Sequence, residues 1–213
     1  MNIMFIVAHP DDEVFGPGGT IAKLSKEHNV KILCLTKGDR PGNEHVQGSR
    51  RTAFNKSCIT LGASSIPVDL LSSDCKLTYD ETLFQIEKTL REYPTDIVYT
   101  HSPSDLHIDH ALVSKCCMVA CRPKPESTVK KLYFFEQPND WTFGQLGSFV
   151  PNTFVDITEQ IEIKKMAYDF YSTERYEWPD ARSWESIKVQ AKQRGKTVGV
   201  NYAESFQLIF DRS

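Results

Sequence analysis

The sequence lacks the features that define several large classes of protein. It has no long hydrophobic run: the apolar stretch Ile3–Val7 is too short to span a bilayer, and no basic segment precedes it. It also lacks an excess of positive charge, because its formal net charge is −3. That charge gives no electrostatic reason to expect a nucleic-acid partner. We therefore predict neither a membrane span nor a nucleic-acid-binding function.

Cysteine is present but lacks the spacing of a metal-binding or redox motif. None of the six cysteines forms a CxxC pair, and most lie inside predicted helices and strands, which favours reduced and buried thiols. A metal site formed by Cys116, Cys117 and Cys121 is the alternative, but cysteines on an apolar helix face are far more often core residues. Reduced thiols favour a cytoplasmic location. The full set is Cys34, Cys58, Cys75, Cys116, Cys117 and Cys121.

The sequence does contain a regular alternation of strand-like and helix-like segments. Strands are predicted near residues 3–8, 30–35, 66–71 and 96–100, and helices near residues 18–28, 49–61 and 80–92. This alternation is typical of βαβ units, so we predict an α/β fold, a Rossmann-like three-layer α/β/α domain with a mostly parallel sheet. With 213 residues, of which 40% are hydrophobic, the chain can bury one good core.

The C-terminal part of the chain is predicted to complete the same domain. A helix over residues 111–121 ends before the breaker Arg122-Pro123-Lys124-Pro125. Beyond it we predict a strand over 131–135, a helix near 158–171 capped by Thr158, and a helix near 183–194. We therefore predict a single domain over residues 1–213, in which residues 1–121 form a metal-binding catalytic core and residues 122–213 complete the pocket.

Histidines and carboxylates follow two of the predicted strands, where ligands of a parallel sheet bind. His9 and Asp12 lie in Ala8-His9-Pro10-Asp11-Asp12-Glu13, directly after the first strand. His107 and His110 lie in His107-Ile108-Asp109-His110, after the strand near 96–100. Residues three apart share one side of a helix. His9, Asp12 and His110 could thus give three ligands to one metal and leave a position for water, as in catalytic zinc sites.

The residues beside these candidate ligands suggest hydrolysis. Zinc-bound water has a pKa of about 7, and Asp11, next to the ligand Asp12, would accept its proton as general base. His107 would stabilise the oxyanion or protonate the leaving amine if Asp109 or Asp105 keeps it protonated. Taken alone, Asp12 or Glu13 could equally cap the following helix. His101 is predicted to be a hydrogen-bonding neighbour or a surface residue, without a metal role.

The motifs AHPDDE and HxDH, in this order and after these strands, resemble the LmbE-like or PIG-L family of zinc-dependent de-N-acetylases. The resemblance covers about residues 1 to 120, and Tyr202-Ala203-Glu204-Ser205-Phe206 is similar to a C-terminal motif of some members. It implies one zinc ion per chain, or another divalent metal, bound by His9, Asp12 and His110. It also implies that Asp11 is the general base, that His107 acts on the oxyanion or the amine, and that Asp109 orients a histidine.

The resemblance further implies that Arg50 faces the substrate. Arg50 matches the family arginine by its distance from Leu61-Gly62, but Ala53 stands where relatives usually carry a glutamate. We expect Arg50 and the loop Lys37–Gly48 to contact the sugar or its attached group. Aromatic side chains could stack on a sugar face, although most are expected in the core: Trp141, Phe143, Tyr171, Tyr176, Trp178 and Trp184.

Three function classes remain at this stage. The first, whose substrate the resemblance implies, is a zinc-dependent hydrolase that removes an N-acetyl group from an N-acetylglucosamine-type sugar conjugate. The second is a non-haem iron oxygenase, which also uses two histidines and one carboxylate but does not need Asp11. The third is a non-catalytic sugar-binding protein of the same fold. We predict the hydrolase, acting in the cytoplasm, with a chain that begins at Met1 and with family-like self-association into trimers or hexamers.

Overall fold

Seven strands form one twisted sheet in the part of the chain that the computed structural model describes, residues 1–38, 49–68, 77–138 and 149–212. The strands are β1 (Asn2–Val7), β2 (Asn29–Cys34), β3 (Ser64–Pro67), β4 (Ile97–His101), β5 (Lys131–Phe135), β6 (Thr153–Asp156) and β7 (Ala203–Asp211). Their spatial order is β3-β2-β1-β4-β5-β7-β6. The first five are parallel, whereas β7 pairs antiparallel with both β5 and β6.

Helices cover both faces of this sheet. They are α1 (Asp12–Phe15), α2 (Gly18–Leu24), α3 (Ser49–Thr60), α4 (Tyr79–Glu92), α5 (Ile108–Ala120), α6 (Ile161–Tyr168) and α7 (Trp184–Val198). Alternate residues of β1 point to opposite faces: Phe5 packs in a core cluster with α2, α3 and α6, and Ile6 in a second cluster with α4 and α5. The predicted three-layer α/β/α architecture with a mostly parallel sheet is therefore confirmed.

Several boundaries differ from those predicted. The segment predicted as one helix near 18–28 contains the short α2, and the separate turn α1 precedes it. Thr158 does not cap the following helix: its hydroxyl donates to Asp156, and α6 has Gln160 at its N-cap. The strands β6 and β7 were not predicted. Residues 69–71 of the predicted third strand, Cys75, and residues 39–48 of the predicted substrate loop lie outside the described residues.

The described cysteines are free and buried, as predicted for reduced thiols; they are Cys34, Cys58, Cys116, Cys117 and Cys121. Among the helices of the described ranges, none has the length and apolar character needed to cross a bilayer.

The fold places the two sequence clusters side by side. β1 and β4 are hydrogen-bonded neighbours at the centre of the sheet, and β2 extends the sheet on one side of this pair while β5 extends it on the other. After β1 the chain adds β2 and β3 on one side of the sheet, and it then adds β4 and β5 on the other side. This reversal makes the carboxyl ends of β1 and β4 a topological switch point, where a crevice forms. The segments 8–13 and 101–110 leave the sheet at this point.

Candidate metal and catalytic site

A tight turn follows β1 and presents its polar side chains to the crevice. The backbone N–H of His9 donates to Asp12 Oδ2 over 2.8 Å, which fixes the Asp12 side chain at the start of α1. Asp11 adopts a φ of 124°, a region that residues with a side chain rarely occupy. Strain of this kind costs on the order of 1–3 kcal/mol and persists where the surroundings enforce it, often at functional sites.

The second turn connects β4 to α5. Asp105 Oδ1 accepts the backbone N–H of His107 over 2.9 Å, and His107 then occupies the N-cap position of α5. The His107 Nδ1 atom accepts the backbone N–H of Asp109 over 3.3 Å. Because Nδ1 accepts a hydrogen bond, the proton of a neutral His107 ring lies on Nε2. His110 follows on the first turn of α5 and points back toward β1.

The three side chains predicted as metal ligands converge at this point. The distance is 3.3 Å between His9 Nδ1 and His110 Nε2, 3.2 Å between His110 Nε2 and Asp12 Oδ1, and 3.5 Å between His9 Nδ1 and Asp12 Oδ2. Ligands at about 2.0–2.1 Å from a tetrahedral zinc are separated by roughly 3.3–3.4 Å. The donor set therefore fits zinc in chemistry, and each histidine nitrogen lies near a different oxygen of the Asp12 carboxylate. Among the described residues, the ligand atoms close enough to share one ion form two groups that have His110 in common: His9, His107 and His110, and Asp12, His101 and His110.

Each candidate ligand histidine is held by a carboxylate on its far side. The Nε2 atom of His9 lies 3.0 Å from Asp109 Oδ2, and the Nδ1 atom of His110 lies 2.6 Å from Asp105 Oδ2. A ring that donates to a carboxylate through one nitrogen presents the lone pair of the other, which is how metal-binding histidines are commonly oriented. Asp109 thus contacts His9. The bond from Asp105 to His110 was not predicted from sequence, although the five-residue spacing just before α5 was an available signal.

The pKa values of this cluster reflect the close pairing of histidines with carboxylates. Burial opposes protonation of His110, but the adjacent Asp12 and Asp105 carboxylates raise its pKa to about 10. Burial likewise opposes protonation of His9, but its hydrogen bond to Asp109 raises the pKa of the ring. Burial disfavours the charged form of Asp12, yet His110 and His101 lower its pKa well below the ordinary value. The carboxylates that raise the pKa values of His9 and His110 would also favour a metal cation at the same ring nitrogens.

Asp11 lies beside this cluster and is paired with Arg50. The Arg50 Nη2 atom donates to Asp11 Oδ2 over 2.6 Å and to the carbonyl of Pro10 over 2.9 Å, while Nη1 donates to the carbonyl of Gly38 over 2.9 Å. Burial raises the pKa of Asp11 to about 6, although the Arg50 charge opposes this shift. Arg50 is only 7% exposed, so its guanidinium acts mainly on Asp11 and the surrounding backbone.

A carboxylate from the C-terminal part of the chain stands near Arg50 where the family glutamate is missing. This residue is Glu174, which follows α6. The distance between its Oε1 and Arg50 Nε is 3.5 Å, and its Oε2 accepts a hydrogen bond from Arg182. Ala53 therefore does not leave the guanidinium without a second acidic neighbour. Sequence reasoning missed Glu174, because nothing in the local spacing connects it to α3.

His107 and His101 lie on either side of His110 and have different surroundings. The carboxylates of Asp105 and Asp109 bond to His110 and His9 rather than to the His107 ring, and burial together with the neighbouring histidine charges lowers the pKa of His107 to about 4. That Asp105 or Asp109 keeps His107 protonated during a reaction stays a prediction. Of the two environments expected for His101, the structure shows the hydrogen-bonding neighbour: the ring is buried, and its Nε2 accepts the backbone N–H of Ala8 over 3.1 Å.

Comparisons with known proteins find deacetylases that are similar to this chain. The family model described as PIG-L, GlcNAc-PI de-N-acetylase, matches residues 4–121. The "uncharacterized deacetylase YaiS" of Escherichia coli K12 is 26% identical over 172 residues, which cover 78% of this chain and 87% of that protein. Among solved structures, N,N'-diacetylchitobiose deacetylase from Pyrococcus horikoshii is 26% identical with a TM-score of 0.79, covering 97% of this chain and 83% of that one.

A further solved structure carries a different activity on the same fold. GalB, the 4-carboxy-2-hydroxymuconate hydratase from Pseudomonas putida KT2440, is 25% identical to this chain with a TM-score of 0.75. The similarity covers 100% of this chain and 98% of that one.

Proposed function

Since this chain belongs to the PIG-L family of GlcNAc-PI de-N-acetylases, we propose that it is a zinc-dependent N-deacetylase. Its substrate would be an N-acetylglucosamine-type amino-sugar conjugate, and its products acetate and the free amine. The observation that carries the proposal is the convergence of His9, Asp12 and His110 within 3.2–3.5 Å, beside the buried Asp11.

His9, Asp12 and His110 would hold the metal, one ion per chain. When bound, the ion would supply Lewis-acid activation of a water molecule and of the amide carbonyl. Zinc is proposed because two imidazoles and one carboxylate form a common ligand set of catalytic zinc sites. Another divalent metal with the same preferences would be held by the same three side chains.

Asp11 would act as the general base. Its carboxylate neighbours the ligand Asp12 in sequence, and a pKa of about 6 lets it accept a proton from the attacking water at neutral pH and later release that proton to the departing amine. Arg50 would keep one Asp11 oxygen fixed by donating to Oδ2, which leaves Oδ1 for the water. Direct contact between Arg50 and a substrate stays a prediction.

His107 would stabilise the oxyanion. Because its Nδ1 accepts the Asp109 backbone N–H, the neutral ring carries its proton on Nε2 and can donate it in a hydrogen bond to the developing negative charge. Of the two roles expected for His107, a low pKa favours this one over proton transfer to the amine. Asp109 would contribute by orienting His9, whose Nε2 it contacts.

The substrate class, the role of the C-terminal part, the cellular location and the oligomeric state are also proposals. The substrate class is supported by the family description and by the chitobiose deacetylase, whose substrate carries N-acetyl groups. The C-terminal part would complete the pocket, which the Glu174–Arg50 contact supports. A cytoplasmic location and assembly into trimers or hexamers remain predictions.

A hydratase is the second candidate, because a hydratase of the same fold is almost as similar to this chain as the chitobiose deacetylase. Both reactions add water to an unsaturated carbon, so the same Asp11 and metal cluster would serve either. The substrate distinguishes them, since a deacetylase releases acetate and a hydratase releases nothing.

The deciding experiment measures the metal and the product together. Purified protein is analysed for zinc and iron and then incubated with N-acetylglucosamine conjugates, including nucleotide sugars, while mass spectrometry follows loss of acetyl. Parallel samples contain 4-carboxy-2-hydroxymuconate, or are followed for oxygen consumption. Acetyl loss that chelation abolishes and zinc restores is the expected result. Hydration without acetyl loss would support the second candidate, and oxygen consumption with bound iron would support an oxygenase.

A further inference from the structure

Glu13 completes the DDE sequence but has no part in the chemistry above. Its side chain is completely buried, at 0% exposure, and both oxygens are hydrogen-bonded. Tyr171 Oη donates to Oε1 over 2.5 Å, and Ser57 Oγ donates to the same oxygen over 2.7 Å. The other oxygen, Oε2, accepts the backbone N–H of Asp11 over 3.0 Å. Glu13 therefore connects two distant side chains to the backbone of the proposed general base.

The backbone of Asp11 needs support from its surroundings, because its conformation is strained. Asp11 has a φ of 124°. A residue with a side chain adopts this backbone conformation only where its surroundings enforce it. Arg50 fixes the Asp11 carboxylate, but a fixed carboxylate is useful only if the backbone that bears it stays in place. The Glu13 bond acts on this backbone directly. Asp11 is also the N-cap residue of α1, and because its own side chain forms no cap hydrogen bond, the Glu13 carboxylate is the group that holds this helix start.

The donors to Glu13 come from separate parts of the fold. Ser57 lies on α3, and Tyr171 lies just beyond α6, outside the residues 4–121 that match the family. The Tyr171 ring is buried against Phe15 of α1, with ring centroids 6.4 Å apart. Tyr171 and Ser57 thus set the position of Glu13 from two sides, and Glu13 in turn sets the Asp11 backbone.

We propose that Tyr171 and Ser57 are positioning residues that act through Glu13 to hold Asp11 in its strained conformation. The catalytic consequence rests on the proposed function, whereas the positioning itself does not. Loss of either hydroxyl would loosen the Asp11 backbone while leaving the metal-binding side chains His9, Asp12 and His110 intact.

The test compares Tyr171→Phe with a matched control, Tyr168→Phe. Both tyrosines pack on Phe15, but the Tyr168 hydroxyl donates to the carbonyl of Arg182 over 2.9 Å and does not contact Glu13. In Tyr171→Phe we expect a loss of about tenfold in kcat, the effect of one buried hydrogen bond, with KM and zinc content unchanged. Tyr168→Phe should lose similar thermal stability but keep its kcat.

A readout independent of activity is amide hydrogen exchange of Asp11, measured by NMR on ¹⁵N-labelled protein. Exchange of this amide should accelerate in Tyr171→Phe and in Ser57→Ala, but not in Tyr168→Phe. Unchanged Asp11 exchange in the first two variants would overturn the proposal, even if the chain proved to have no deacetylase activity. Absence of acetyl loss in the unmodified protein would instead count against the proposed function.

A double-mutant cycle separates action through Glu13 from a general packing effect. If Tyr171 acts through Glu13, its substitution should change neither kcat nor Asp11 exchange in a Glu13→Gln background. Fully additive losses would contradict the relay. If Glu13→Gln fails to fold, a second cycle combines Tyr171→Phe with Ser57→Ala. A kcat loss in the double variant that is smaller than the sum of the single losses indicates that both hydroxyls act through Glu13 Oε1. Additive losses contradict the relay.

Discussion

A buried ion pair links the C-terminal strand β7 to the turn after the candidate metal site. Lys164 Nζ donates to Glu204 Oε1 over 2.6 Å and to the carbonyl of Gly16 over 2.7 Å, and the two side chains are 3% and 7% exposed. Glu204 also accepts the backbone N–H groups of Gly19 and Thr20 over 2.8 and 2.7 Å. Lys164→Met keeps the approximate length of the side chain but leaves the Glu204 carboxylate buried without a cation.

Removal of one partner of a buried ion pair costs about 3–5 kcal/mol, because the other charge stays in a poorly solvated place. This cost is a large part of the free energy of unfolding of an ordinary domain, which is roughly 5–15 kcal/mol. We therefore expect Lys164→Met to lower the free energy of unfolding by about 3 kcal/mol or more, measured by urea titration with circular dichroism.

The neighbouring Lys165 supplies the control. It pairs with Asp169 over 2.6 Å, but these side chains are 30% and 42% exposed, so Lys165→Met should cost only about 0–1 kcal/mol. Glu204→Gln, combined with Lys164→Met, should recover part of the loss, because the amide oxygen still accepts a backbone N–H and no charge stays unpaired. The reasoning is refuted if Lys164→Met destabilises the protein no more than Lys165→Met does.

Three other variants or treatments test separate parts of the structure. Asp11→Asn should retain one metal per chain but lose a factor of about 10²–10⁴ in kcat, because an amide cannot accept the proton of the water; near-normal hydrolysis would remove Asp11 from the mechanism. Burial raises the pKa of Cys116 to about 11 and that of Cys121 to about 12, so the described thiols should resist iodoacetamide in the folded protein and react in urea, as peptide mapping would show. The Asn2 backbone N–H and Lys130 lower the pKa of Asp96 below its ordinary value, so these contacts stabilise the fold above the unfolded-state pKa of about 3.9 and lose effect as pH falls through the lower folded value. Asp96→Asn should thus cost roughly 0.5 kcal/mol at neutral pH and nothing in strong acid, and an equal cost at both would contradict this account.

The convergence of His9, Asp12 and His110 was predictable because strand ends in a parallel sheet meet at one edge. Two polar clusters that each follow an apolar strand must lie near that edge, and β1 and β4 are adjacent. The resemblance to the family then suggested which of these residues would bind the metal and which would act as the general base. Local periodicity also located most helices and parallel strands to within a few residues.

What could not be predicted depends on contacts between distant segments. The partnership of Glu174 with Arg50 leaves no local pattern, because the two residues lie on different elements. Lys164 would be expected at the surface from its residue type, yet it is buried because Glu204 and Gly16 complete its hydrogen bonds. The strand β6 escaped prediction because its residues are only half-buried or exposed and give no clear alternation.

The contact between Glu174 and Arg50 bears on how related sequences should be compared. A buried guanidinium needs negative charge around it, but physics does not prescribe the chain segment from which that charge comes. Here the acidic group reaches Arg50 from beyond α6, and position 53 is alanine. A search pattern that insists on glutamate at position 53 would discard this chain, whereas a count of acidic oxygens around the arginine would retain it. A comparison of related sequences at this position should therefore consider the charges that surround the arginine in space as well as the residue at position 53.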